Sequence, residues 1–220
     1  EGYSASAGDS LTRAELSAEA IRLGRLLSEQ LPEPESIGLL ALMLIQESRR
    51  AARTTPAGDL VLLDEQDRSQ WRHDLIAEGT ALVEHALACS PAGPYALQAA
   101  IAAVHAEAPT AAATDWAQIV GLYDLLLQRY PSPVVELNRA VAVAMCDGPA
   151  AGLDLVDRLA DLPALARYPW LPAVRGDLLS RLGRHHEART AFLRAAELTE
   201  NAQERTLMTA RAEAGGRAIR

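Results

Sequence analysis

Leu16, Ala20, Leu23, Leu27 and Leu31 recur at spacings of three and four along the first part of the chain, which is the period of one face of an α-helix. The pattern predicts a first helix from a capping box at Thr12 and Glu15 to about Gln30, broken by Pro32 and Pro34. Residues 36–52 are apolar nearly all round, so a second helix is expected to lie buried among other helices, ending in Ser48, Arg49, Arg50, Ala51, Ala52 and Arg53. The stretch Thr54 to Asp59 carries turn residues, and Leu60 to Leu63 is too short and abruptly bounded for a helix of its own. Residues 54–70 therefore read as an ordered, partly extended insertion. Asp67, with Gln70 three residues on, is placed to cap a third helix whose inward face includes Trp71, Leu75, Leu82 and Leu87, closing near Ser90 and Pro91.

From there a rhythm sets in. Helices are expected to open at Pro94, Pro133 and Pro169-Trp170, with proline at the favoured first position, and these starts are spaced by 39 and 37 residues. Each interval holds a second helix, beginning near Asp115, Pro149 and Glu187. The interval from Glu35 to Pro94 fits the same plan with an insertion of roughly 20 residues around Pro56 to Asp67. Leu178, Leu179, Leu182, Gly183, Ala188, Phe192 and Ala195 follow the tetratricopeptide pattern, in which glycine permits the tight inter-helix turn and alanine the close approach. A polar terminal helix is expected over 201–214, with Gly215-Gly216 marking its fraying end. The fold class read from this pattern is all-α: antiparallel helix pairs stacked as a tetratricopeptide-like α-solenoid, with a short irregular insertion near 54–70. The whole chain, 1–220, reads as a single domain: helix 1–31, then pairs at 35–89, 94–130, 133–160 and 170–199, then helix 201–214.

Composition narrows the function. Alanine and leucine dominate the apolar share while aromatics make up only 4%, which favours helices. The net charge is −8 and the 21 basic residues, all arginine, are scattered rather than striped, so direct nucleic-acid binding is not expected. The longest apolar run, Gly38 to Ile45, is far below the roughly 20 residues of a bilayer span, and no secretory leader opens the sequence, so a cytoplasmic protein without membrane contact is expected. Cys89 and Cys146 sit in helical patterns without CxxC spacing and are expected as reduced, buried thiols. The absence of lysine excludes Schiff-base catalysis, and no GxSxG, GxGxxG, phosphate-binding loop or HExxH is present. His105-Ala106-Glu107 has the His-x-Glu spacing of zinc deaminases but lacks their Pro-Cys-x-x-Cys ligands, and His185-His186 reads as a solvated turn. No catalytic residue, metal ligand or cofactor site is expected, and the chain does not read as an enzyme.

The candidate site is an interaction surface formed by Asp64, Gln66, Asp67, Arg68 and Trp71, with Arg49, Arg50 and Arg53 across the insertion. Arginine beside carboxylates makes bidentate pairs, and tryptophan offers a large contact area, a combination found at interaction hot spots. The same residues would serve equally well to staple the insertion down, with Asp67 as a cap and Trp71 as core.

Several strings carry a family resemblance: Glu1-Gly2-Tyr3-Ser4-Ala5-Ser6-Ala7-Gly8, Arg49-Arg50-Ala51-Ala52-Arg53 through Gly58-Asp59-Leu60-Val61-Leu62-Leu63, and Gln66-Asp67-Arg68-Ser69-Gln70-Trp71. Ala99 to Pro109, Thr114-Asp115-Trp116 and Pro131 to Ala142 extend it over essentially the whole chain. Together they resemble the carboxy-terminal extension of bacterial extracytoplasmic-function sigma factors, with residue 1 at the start of that extension. The resemblance implies a tetratricopeptide-like module that regulates or supports transcription initiation by protein–protein contact. Its expected partners are the promoter-reading domains of the parent sigma factor, which this chain lacks, and RNA polymerase. The competing reading is a small-molecule sensor or enzyme with a pocket between helices, using His105, Glu107 and nearby arginines.

Overall fold

A computed structural model describes residues 14–88 and 91–217. Among the described residues the protein is all-helical, with ten α-helices: α1 (Ala14–Gln30), α2 (Pro34–Ser48), α3 (His73–Ala88), α4 (Pro94–Glu107), α5 (Trp116–Arg129), α6 (Pro133–Cys146), α7 (Pro149–Leu159), α8 (Trp170–Arg181), α9 (His185–Leu198) and α10 (Ala202–Arg217). The chain divides into two compact units, the first ending at Tyr130 and the second beginning at Pro131.

Local sequence sets the helix starts. Proline occupies the first turn of α2, α4, α6 and α7, where its missing N–H costs no hydrogen bond. Asp115 opens α5 by accepting from the Gln118 amide at 2.9 Å. The buried Asn201 opens α10, its side-chain oxygen accepting from the amides of Gln203 and Glu204.

In the first unit α2 packs on α1, α3 and α4, burying Leu40, Leu44 and Ile45. The alanine-rich α4, with Ala99, Ala100 and Ala103 buried, lets helices approach closely. A Cβ added at Gly38 would lie 2.6 Å from the Ala96 backbone nitrogen, so only glycine fits at that crossing. In the second unit, each helix from α6 to α10 packs on its neighbour in sequence, around Leu137, Val156, Leu165, Leu178, Leu179 and Phe192. Gly183 turns the chain between α8 and α9 with φ 74°, and a Cβ there would meet nothing within 4 Å. Gly183→Ala is therefore expected to cost only the backbone penalty of the left-handed conformation, about 1 kcal/mol, read as a lowered denaturation midpoint. No measurable loss would mean that the turn relaxes to another conformation.

Several expectations from the sequence need correction. The second helix ends at Ser48, and Arg50–Arg53 form a 3-10 turn instead of continuing it to 52. Asp67 does not cap the third helix: its side chain accepts from the Ser69 amide and caps a 3-10 turn over Arg68–Gln70, and α3 starts at His73. Capping chemistry is local, so the same signal serves either kind of turn. Leu87 is exposed, whereas the half-buried Leu82 packs against the core, so the inward face of α3 is Leu75, Ile76, Gly79, Leu82, Val83 and Ala86. Leu182 is exposed, and α10 runs through Gly215 and Gly216 to Arg217. Cys146 is exposed at the end of α6, not buried. Thr12, Cys89 and Ser90 lie outside the described residues.

The first helix is the largest departure from simple amphipathic packing. Its inward side is mostly small residues around one large apolar side chain, with Gly24 buried, Ser17, Ala20 and Ser28 half-buried, and Ile21 packed against the core. Ser17 donates to Glu47 Oε2 at 2.9 Å, Ser28 donates to the Ser36 carbonyl at 3.1 Å, and Arg25 pairs with Glu78 of α3. Leu16, Leu23, Leu26, Leu27 and Leu31 remain 41–51% exposed.

Candidate interaction site

The segment between α2 and α3 is pinned at both ends. After the 3-10 turn, Thr54 and Leu60 form an isolated antiparallel bridge around Pro56 and Ala57, with the Thr55 amide donating to the Asp59 carbonyl and the Val61 amide to the Arg53 carbonyl. The insertion expected to be partly extended is so. Gln66 Nε2 donates to the Val61 carbonyl at 3.2 Å, and the Arg72 amide closes the segment on the Ser48 carbonyl at 3.0 Å.

Trp71 is the centre of the site. It is buried in the core of the first unit with Ala52, Ile76, Ala103 and Ala106. The Arg68 guanidinium lies 4.4 Å from its ring centroid and that of Arg49 lies 5.8 Å away, both within cation–π range. Arg68 Nη1 also donates to the carbonyls of His105 and Ala108, each at 2.7 Å, at the end of α4. Those carbonyls carry the partial negative charge of a helix C-terminus, which a guanidinium complements. Burial, then the charge of Arg49, lower the Arg68 pKa. Among the described residues, neither Trp71 Nε1 nor Gln66 Oε1 has a hydrogen-bond partner, although both atoms are buried.

His105 belongs to the same cluster. Its ring meets Trp116 edge-on, with centroids 5.0 Å apart and planes at 78°. Burial, followed by the cations of Arg49 and Arg68, pushes its pKa down to about 4, so it is neutral at physiological pH. Sequence reading placed His105 with unspecified nearby arginines and quoted Trp116, but did not bring either to Arg49, Arg68 and Trp71. The contact runs between residues 37 apart, and only the packing of α4 beside the insertion creates it.

The predicted site residues thus separate into two groups. Arg49, Arg68 and Trp71 converge, while Arg53 and Gln66 are linked to each other through the backbone at Val61. Arg49 and Arg53 are both buried. Arg50 is exposed and pairs with Glu47 at 2.6 Å, Asp64 is exposed, and Asp67 is exposed while its carboxylate serves Ser69 and Gln70. Those hydrogen bonds, from the Ser69 side chain first, lower the Asp67 pKa. Arg50, Asp64 and Asp67 are the members of the site that remain exposed.

A second surface was not singled out by sequence reading. A groove of about 320 Å³ lies between α1 and α2, lined by Leu16, Ala20, Ile21, Leu42 and Met43, with Arg50 and Arg53 also on its wall. Among the described residues, no group of three or more His, Cys, Asp or Glu side chains is placed to hold a metal ion, and no helix is long and apolar enough to cross a membrane.

Residues 1–87 match a family described as "Family of unknown function (DUF6596)", a region that includes α1, α2 and the insertion. A protein of Rhizobium meliloti (strain 1021) named "Uncharacterized protein R00370" is 49% identical over 205 residues, which is 93% of this chain and 48% of the relative. The chain therefore spans about half the length of the curated relative it matches.

Proposed function

We propose that this chain is the accessory and regulatory module of an extracytoplasmic-function sigma factor, working through protein–protein contact to modulate transcription initiation. The observation that carries the reading is the one-sided coverage: almost all of this sequence aligns within less than half of a longer protein, the relation of a module to a multidomain polypeptide. The sequence strings that resemble sigma-factor extensions support a sigma factor as that polypeptide, with the promoter-reading domains and RNA polymerase as partners and no nucleic acid or membrane bound through this module.

We read the helix pairs as a tetratricopeptide-like stack. The sequential packing from α6 to α10, the turn at Gly183 and the close-packed alanines support that reading. The exposed edge of the insertion, with Arg50, Asp64 and Asp67, is the part of the predicted site that would meet a partner. The competing small-molecule reading has less behind it, because Glu107 is exposed and the groove described above is lined by other residues than His105 and Glu107.

The test is promoter-specific transcription by RNA polymerase with the full-length Rhizobium meliloti relative. Deleting the segment that matches this chain is expected to change output at least about tenfold, a difference of roughly 1.4 kcal/mol in an apparent equilibrium. Alanine at the positions aligned with Arg50 and Asp64 is expected to shift output in the same direction while leaving the circular dichroism spectrum unchanged. Equal transcription with and without the segment would overturn the proposal.

A further inference from the structure

The leucine face of α1 has no cover among the described residues. The exposed Leu16, Leu23 and Leu27 stand at the seven- and four-residue spacing of a heptad seam, which is the form a helix takes to receive another helix. Leu26 and Leu31 flank the seam, and the groove with Leu42 and Met43 continues the apolar surface onto α2. Stacked helical arrays end in helices with polar outer faces. The last described helix, α10, obeys that rule: it buries Met208 and Ala212 and exposes Arg205, Thr206, Thr209 and Glu213. The first described helix breaks it.

We infer that this face seats an amphipathic helix carried by the part of the longer polypeptide that this chain does not span. The inference rests on the reading of the chain as one module of such a polypeptide, and the relative's additional length, about as great as the matched segment, supplies the occupant. Area favours a tethered occupant over a second copy. A helix of 17 residues is roughly 25 Å long and about 10 Å across, a footprint of roughly 250 Å², against the roughly 800 Å² per partner of a stable complex. A contact that small persists when linkage supplies a high effective concentration. On the polar side of α1, Arg22 pairs with Glu19 within the helix and Arg25 with Glu78 of α3, while the leucines have no such partner among the described residues.

The experiment is hydrogen–deuterium exchange on the full-length Rhizobium meliloti relative, compared with a variant carrying glutamate at the two positions aligned with Leu23 and Leu27. The expected result is at least about tenfold faster exchange both in α1 and in one segment outside the matched region, with the remaining helices unchanged. In the 220-residue chain itself, Leu23→Glu with Leu27→Glu is expected to leave exchange and the thermal midpoint unchanged, because both side chains are exposed. Faster exchange confined to α1 would overturn the inference, as would unfolding of the 220-residue variant. A concentration-dependent dimer of the 220-residue chain, abolished by the double substitution, would overturn it in favour of a second copy. A relative that docks this face yet drives no transcription would support the docking and remove the sigma-factor reading.

Discussion

Trp71→Ala is expected to lower the unfolding free energy by about 3–5 kcal/mol, measured by urea denaturation followed by far-UV circular dichroism. The ring is buried in the core cluster that also holds Ala52, Ile76 and Ala106, and its removal leaves a cavity there. It also takes away the aromatic surface beneath two guanidinium groups, those of Arg68 and Arg49. Trp71→Phe is expected to cost far less than this, under about 2 kcal/mol. The smaller ring still fills most of the space, and the substitution deletes a buried N–H that has no partner among the described residues, whose desolvation costs about 1–3 kcal/mol. Equal losses for the two variants would show that the indole nitrogen matters more than the ring, and a loss under about 1 kcal/mol for Trp71→Ala would remove the residue from the core.

The second large effect is acid sensitivity through His105. Its pKa is about 4 in the folded chain against an ordinary 6.5, held down first by burial and then by Arg49 and Arg68. Between these values the unfolded chain binds the proton and the folded chain does not. Stability is therefore fully present above about pH 6.5, falls as pH drops toward 4, and changes no further through this group below that point. The slope is about 1.4 kcal/mol per pH unit, and the full loss is roughly 3 kcal/mol, of which about 2 kcal/mol is gone by pH 5. His105→Asn removes the titrating group, so the check is the difference in unfolding free energy between pH 7.5 and pH 5.0 for both proteins. The same difference in both would show that carboxylates elsewhere set the acid response.

Much of this architecture is legible in the sequence, and the exceptions have identifiable causes. Helix starts at Pro94, Pro133 and Pro149 follow from the chemistry of proline at a first turn, which acts within a few residues and needs no tertiary information. The late start of α3 was hidden because Asp67 makes the same hydrogen bond to a following amide whether the next turn is 3-10 or α. The state of α1 was hidden for a different reason. The period of Leu16, Leu23 and Leu27 reports that one face is apolar, not whether an element of the same chain covers it, and the covering here falls to the small face through Gly24. In the candidate site, the closeness of Arg68 to Trp71 follows from a spacing of three residues. The link from Arg68 to His105 spans 37 residues, and no local pattern announces it.

That link has a corollary for how the sequence of α4 is written. The helix stops at Glu107 without a glycine to reverse it: Ala108 leaves at φ −63° and ψ 127°, and Pro109 follows. The carbonyls of His105 and Ala108 at that end are met instead by a side chain belonging to another stretch of the chain, so α4 borrows part of its terminator from the insertion. A helix that borrows its ending is free of the usual composition rule at its own end, and the rule moves to the lender. Loss of the insertion in a shortened homologue is then expected to be accompanied by a glycine or a basic residue appearing near position 108, restoring to α4 an ending of its own.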